Sequence, residues 1–131
     1  MSTIDSVDHA FRTAREAQVR WAAQPIADRA RVLLRLHDLV LRHRDELLDL
    51  IQLESGKTRR QAFEEVMDVA GACRHYARKA DTYLKPRKRL GALPVLTQTV
   101  ELRHPKGVVG VVAPWNYPLS MSVTDLIPAL L

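Results

Sequence analysis

The 131-residue sequence has a single cysteine, few aromatic residues and no long hydrophobic run. One cysteine cannot form an internal disulfide, so we expect a reducing, cytoplasmic location. No stretch of about 18 apolar residues occurs, which argues against a membrane span. The first 20 residues mix acids with arginines, so neither a signal peptide nor an acid-poor transit peptide is expected. An apolar share of 47% and a charged share of 27% indicate a globular protein of ordinary size.

The net charge of +5 comes from one short segment, residues 85–106, which carries six basic side chains and a single acid. A basic patch of this kind could contact nucleic acid or another anionic ligand. However, the segment has no aromatic side chain on which bases could stack. A solvated face beside the helices is therefore favoured over nucleic-acid binding.

Several common catalytic motifs are missing. The run Ser55-Gly56-Lys57-Thr58 resembles the end of a phosphate-binding loop, but Ile51 stands where that motif needs a glycine. A helical pattern, not a buried strand, also precedes it. No Gly-x-Ser-x-Gly elbow occurs, so a hydrolase serine has no support.

Neither the possible metal ligands nor the adjacent acidic residues predict a functional site. Cys73 and His75, two positions apart, would point to different faces of a helix, so no metal site is predicted. The adjacent carboxylates at Asp45-Glu46 and Glu64-Glu65 lie in helical patterns. We interpret both pairs as solvated helix faces and not as acid–base pairs.

Apolar residues recur at helical spacing in four stretches of the first 84 residues. Pro25 suits the first turn of the second predicted helix, and Gly56 suits the end of the third. The fourth and longest stretch runs to Leu84, where the following Lys85-Pro86 ends it. Cys73 lies on the apolar stripe of this helix, so we expect a small buried hydrophobe and not a nucleophile.

The pattern changes after Pro94. Alternation over residues 96–103 predicts a half-buried strand, and the β-branched run at 108–112 predicts a strand buried in a parallel sheet. A turn and another apolar helix, from Leu119, follow. A buried strand and its crossover helix require a further parallel strand, so we expect additional sequence beyond Leu131.

The turn after the predicted buried strand holds the best candidate for chemistry. Pro114 and Pro118 bracket it, so the side chain of Asn116 would sit on a stiff support. Open α/β sheets bind ligands beyond the carboxyl ends of their strands. An amide N–H donor held there could stabilise negative charge developing on an oxygen. Asparagine beside proline is also an ordinary turn signal, so a purely structural role remains an alternative.

Residues 105–118 resemble the signature of the NAD(P)-dependent aldehyde dehydrogenase family, Pro-x-Gly-Val-x-Gly-x-(Ile/Val)-x-Pro-Trp-Asn-(Tyr/Phe)-Pro. The resemblance extends to Trp21 with the arginine-rich helix after it, to Glu54-Ser-Gly-Lys57, and to the long helix containing Tyr76. Ile127-Pro128-Ala129-Leu130 resembles the helix that follows the signature. The similarity therefore covers nearly the whole chain, and its nearest subgroup is the succinate-semialdehyde dehydrogenases.

The resemblance implies an α/β fold made of amino-terminal helices and the truncated start of a Rossmann-like cofactor domain. It divides the chain into residues 1–84, which are helical, residues 85–106, a basic linker with an oligomerisation-type strand, and residues 107–131. It implies NAD or NADP as cofactor and an aldehyde as substrate. Asn116 would donate its amide to the oxyanion of a thiohemiacetal formed on a cysteine. The residues implied to lie along the nicotinamide are Val112, Ala113, Pro114, Trp115 and Asn116.

Two catalytic motifs of the family do not occur in these 131 residues. The nucleophilic cysteine of a Gly-Gln-x-Cys motif and the general-base glutamate of a Glu-Leu-Gly-Gly motif are both missing. We therefore expect the chain alone to be inactive, because a thiohemiacetal needs a thiolate. The alternative is a non-catalytic module that docks on a full-length dehydrogenase subunit or forms a homo-oligomer.

Overall fold

The computed structural model describes residues 4–93 and 96–131. Over this part of the chain it contains five helices and one two-stranded sheet. In chain order the elements are α1 (Ile4–Ala22), α2 (Ile26–Arg42), α3 (Arg44–Ser55), α4 (Arg59–Leu84), β1 (Arg87–Leu90), β2 (Gln98–Glu101) and α5 (Ser120–Ala129). None of these described helices has the length and apolar character needed to cross a bilayer.

Local signals set the ends of α3 and α4 where the sequence predicts them. Gly56 takes the left-handed conformation, with φ of 70°, and its N–H closes α3 on the carbonyl of Gln52. Thr58 then begins α4 with a capping box, in which its hydroxyl and the Gln61 side chain each accept a backbone N–H. Lys85, before Pro86, ends α4 in an extended conformation. The predicted third and fourth helices are thus confirmed.

The core lies where α2, α3 and α5 pack on α4. Its buried side chains come from all four helices and include Leu33, Ile51, Val66, Val69, Cys73 and Ile127. Cys73 is fully buried, as predicted, and this burial raises the pKa of its thiol. The reactive thiolate is therefore disfavoured at neutral pH.

The first helix differs from the others because it contributes no buried residue to this core. Its Trp21 Nε1 donates a 2.8 Å hydrogen bond to the carbonyl oxygen of Leu130, just beyond α5. Phe11, on the same helix, remains 44% exposed. The predicted amphipathic helix therefore forms, but its apolar face is only partly covered.

The two strands form an antiparallel hairpin in which Arg87 pairs with Glu101 and Leu90 with Gln98. The alternation over 96–103 thus predicted a strand correctly, but its predicted half-burial is wrong: Leu96 is 82% exposed and Leu102 58%. The reason is that no helix of the described chain packs extensively on the hairpin. The partner strand β1 falls in the predicted basic linker, where its charged residues show no alternation. Pro94, at which the pattern changes, lies outside the described residues.

The strand predicted at 108–112 is not present in the structure. These residues belong to no helix or strand, and Val112 is fully exposed at 101%. A strand needs a neighbour to satisfy its backbone groups, and β1 and β2, the strands of the described chain, pair with each other. The segment instead approaches α1, since a Cβ placed on Gly110 would lie 4.0 Å from the Phe11 ring.

Candidate functional site

A turn from Pro114 to Pro118 leads into α5 and carries the predicted catalytic residue, Asn116. The Tyr117 carbonyl accepts the N–H of Met121, and the Pro118 carbonyl accepts the hydroxyl of Ser122 at 2.6 Å. These bonds join the end of the turn to the first turn of α5. The asparagine is therefore attached directly to an ordered helix start.

The five residues predicted to face a cofactor form one consecutive, mostly exposed ledge. Val112 is 101% exposed and Trp115 81%, Pro114 and Asn116 are also exposed, and Ala113 is half-buried. Within the described residues, no hydrogen bond engages the Asn116 side chain. Its amide is thus available to an external acceptor.

Glu65, on α4, anchors the residues that follow this turn. Its side chain is fully buried, and Oε2 accepts the backbone N–H groups of both Leu119 and Ser120 at 3.0 Å. The carboxylate therefore satisfies backbone donors at the beginning of α5 and places a negative charge at the positive end of the helix dipole. This contact joins residues that are more than 50 positions apart.

The interpretation of Glu64-Glu65 as a solvated pair is consequently wrong for Glu65. Glu64 is exposed and lies 3.7 Å from Arg60, as a solvated residue would. Glu65 instead follows Ala62 by three positions and precedes Val69 by four, so it lies on the buried stripe of α4. That spacing was visible in the sequence and could have identified the residue.

Lys57 neutralises the buried carboxylate. Its Nζ lies 2.5 Å from Glu65 Oε1, and its side chain is only 13% exposed. The same ammonium lies 3.4 Å from the centroid of the Tyr117 ring, a cation–π contact. The Gly-Lys-Thr run, rejected as a phosphate loop, therefore supplies the cation of an internal ion pair. Removing one partner of a buried pair typically costs about 3–5 kcal/mol.

The ledge combines exposed apolar surface with one amide group. The exposed apolar surfaces of Val112 and Trp115 could face a flat ring or a ribose, and the Asn116 amide could hydrogen-bond to an oxygen. In α/β cofactor domains, phosphates commonly bind at a helix N-terminus. Here the N–H groups of Leu119 and Ser120 are already taken by Glu65. These two N–H groups are therefore not free to bind a phosphate.

Other described regions offer less chemistry. A cavity of about 490 Å³ lies between α1, Gly107–Val109 and α5, with a largely apolar lining that includes Trp21 and Leu126. It contains no carboxylate or thiol, and the ledge does not line it. No cluster of three or more metal-ligating side chains occurs among the described residues.

The sequence model of the aldehyde dehydrogenase family matches residues 1–131. A Mycolicibacterium smegmatis relative, named for succinate-semialdehyde dehydrogenase with NADP(+), is 48% identical over 131 residues. This alignment covers 100% of the chain but 25% of that protein. The vanillin dehydrogenase of Corynebacterium glutamicum is 33% identical, with 98% of the chain and 26% of that protein covered. The chain therefore spans about a quarter of the length of these relatives.

Solved structures agree with this comparison. The NAD-dependent benzaldehyde dehydrogenase from Corynebacterium glutamicum superposes with a TM-score of 0.86 at 34% identity, covering 99% of the chain and 28% of that protein. HpcC from Thermus thermophilus superposes with a TM-score of 0.81. The fold expected from the sequence is thus confirmed at the level of the family.

Proposed function

The chain belongs to the aldehyde dehydrogenase family, and we propose that it forms the amino-terminal part of an enzyme that oxidises an aldehyde to a carboxylic acid. NAD or NADP would accept the hydride. Succinate semialdehyde is the favoured substrate, supported by the 48% identity to the M. smegmatis relative that carries this name. Within the chain, we assign residues 1–84 to the helical part, 85–106 to the basic linker and hairpin, and 107–131 to the beginning of the cofactor domain.

The observation that carries the proposal is the exposed amide of Asn116 on an anchored turn. In this function the amide donates a hydrogen bond to the substrate oxygen as negative charge develops there. Loss of one such donor typically lowers the rate roughly 10²–10³-fold. Val112, Ala113, Pro114 and Trp115 form an apolar wall for the nicotinamide side of the cofactor. No metal participates in this assignment.

Alone, the 131-residue chain is catalytically inactive in this proposal. It lacks the family's cysteine and glutamate motifs, and its own thiol, Cys73, is fully buried with a raised pKa. A buried, protonated thiol is a poor nucleophile. The chain supplies one hydrogen-bond donor and one wall of a site whose remaining groups come from elsewhere.

The test is the formation of reduced nicotinamide by the purified chain, with succinate semialdehyde and either NAD or NADP. The full-length M. smegmatis relative is the positive control, and far-ultraviolet circular dichroism establishes that the chain is folded. We expect no turnover from the folded chain. Turnover that is lost in Cys73→Ala would contradict the proposal, because the nucleophile would then be a residue placed in the core.

A second candidate function is a non-catalytic module that docks on a full-length dehydrogenase subunit. The exposed apolar side chains of Val109, Val112 and Trp115, close together in sequence, favour it, since exposed apolar surface often marks an interaction site. We expect the chain to co-purify with the M. smegmatis relative under this alternative, and Val112→Asp to weaken the complex. The matched control is Asp125→Asn on α5, an exposed charge change away from the ledge. Equal recovery of the unchanged chain, Val112→Asp and Asp125→Asn would show that this surface is not the docking site.

The hairpin is our proposed oligomer contact. Leu90 is 90% exposed, Leu96 82% and Leu102 58%, which leaves apolar surface available to a second copy. Light scattering after gel filtration should show an assembly that Leu90→Asp dissociates. A monomer in both cases would refute the contact. The single, unpaired cysteine supports our proposal of a cytoplasmic location.

A further inference from the structure

Two oppositely charged residues contact the Pro114–Pro118 turn and the first residues after it. Lys57 contacts the ring of Tyr117 with its ammonium 3.4 Å from the centroid, while Glu65 accepts the N–H groups of Leu119 and Ser120. The two anchors bond to each other at 2.5 Å. Asn116 is the residue immediately before Tyr117, so the anchored segment begins one peptide bond from the candidate donor.

The hydrogen bonds of Glu65 connect Lys57 with the start of α5. Glu65 uses both oxygens, one for the ammonium and one for the two backbone N–H groups. A carboxylate has enough acceptor sites for all three donors, whereas a neutral amide could not serve the ammonium and the backbone together. Full burial of Glu65 also protects these bonds from competing water. The arrangement therefore fixes the turn in orientation as well as in distance.

We propose that Lys57 and Glu65 are positioning residues that hold the backbone of Asn116, and hence the point from which its amide side chain projects, through the Tyr117 ring and the first peptides of α5. The inference rests on the proposed function for what Asn116 does, but not for how the turn is held. Neither residue touches the exposed face on which a substrate would bind. Their contribution is to preorganise the donor, which is the condition for stabilising charge without reorganisation.

Asn116 is the only asparagine in the chain, which makes a direct test simple. Selective nitrogen-15 labelling of asparagine gives one backbone amide signal and one side-chain amide group, and relaxation measurements report their order. In the unchanged chain we expect a backbone order parameter near the rigid value of about 0.85. In Glu65→Gln, which cannot accept all three donors, we expect it to fall below about 0.6, with shifted side-chain amide signals.

Glu64→Gln is the matched control, and Tyr117→Leu is a second test of the proposal. Glu64→Gln makes the same chemical change one residue away on the exposed face of α4 and should leave both Asn116 signals unmoved. Tyr117→Leu removes only the cation–π contact from a residue that is 45% exposed, so it tests the proposal even where Glu65→Gln fails to fold. We expect an intermediate loss of order in Tyr117→Leu.

The results separate this proposal from a purely structural role. A structural role alone would lower the resistance of Glu65→Gln to urea while leaving the order of Asn116 in the folded chain unchanged, which would overturn the inference. An unchanged order parameter in Tyr117→Leu, or a mobile Asn116 in the original chain, would also overturn it. None of these measurements uses an aldehyde or a cofactor. Failure of the proposed function would therefore leave the result intact, and the two failures remain distinguishable.

Discussion

Replacing Ile127 with alanine should loosen α5, the helix that follows the Pro114–Pro118 turn. Ile127 is 1% exposed and belongs to the same core cluster as Leu33 and Val66. Truncating a buried isoleucine to alanine typically costs about 2–5 kcal/mol, because transfer free energy is lost and a cavity remains. Small domains are stable by only about 5–15 kcal/mol, so this single change removes a large share of the free energy of unfolding.

Urea unfolding followed by circular dichroism measures this cost. Leu126→Ala is the matched control, since it removes the same number of carbons from the adjacent position, where the side chain is 39% exposed. We expect the control to lose about 1 kcal/mol or less, because little apolar area is returned to water. Equal losses in Ile127→Ala and Leu126→Ala would refute the reasoning, because α5 would then not be attached through its Ile127 face.

Four further predictions concern Cys73, Glu101 and Thr58. Cys73 should react with a thiol reagent slowly in the native chain and rapidly in urea; immediate native reaction would contradict its burial. Burial raises the pKa of this thiol in the folded chain above its value in the unfolded chain. The contribution of Cys73 to the free energy of unfolding should therefore be fully present below the unfolded pKa and be lost as the pH rises through the folded pKa. Cys73→Ala should not show this loss. The hydrogen bond and charge of Arg89 lower the pKa of Glu101, so its carboxyl should titrate below the ordinary 4.5 in an NMR titration, and Arg89→Gln should move it back. Thr58→Ala should cost about 1 kcal/mol in urea unfolding by removing the α4 cap, whereas no loss would show that the capping box is not formed.

The helices were predictable because their determinants are local. Helical spacing, the glycine at position 56 and the proline at position 86 act within a few residues of the ends that they define. The β-branched run at 108–112 failed for the opposite reason. A strand forms only when another strand satisfies its backbone groups, and nothing within the run specifies that neighbour. The same holds for β1, whose pairing with β2 depends on residues beyond its own charged sequence.

The part of the candidate site that depends on local sequence could be predicted, and the part that depends on long-range contacts could not. Asn116 between two prolines is a local motif, and its place on a turn before α5 could be expected from the sequence. The contacts of the anchoring residues could not be predicted, because Glu65 and Lys57 lie more than 50 positions from the peptides and ring that they hold. Residue type also misled, since an adjacent pair of glutamates is usually solvated. Only the position of Glu65 on the apolar stripe of α4 indicates burial.

One face of α4 therefore contributes both to the core and to the geometry of the site. An apolar pair at positions 57 and 65 could pack as well as the ion pair, since buried ion pairs are often replaced by hydrophobic residues without loss of stability. Such a pair would nevertheless leave the N–H groups of Leu119 and Ser120 without their acceptor, at about 1–3 kcal/mol for each buried unsatisfied donor. The carboxylate of Glu65 is thus required by the start of α5, and the ammonium of Lys57 by the carboxylate. Under the proposed positioning role, the same charges also hold the turn that carries Asn116.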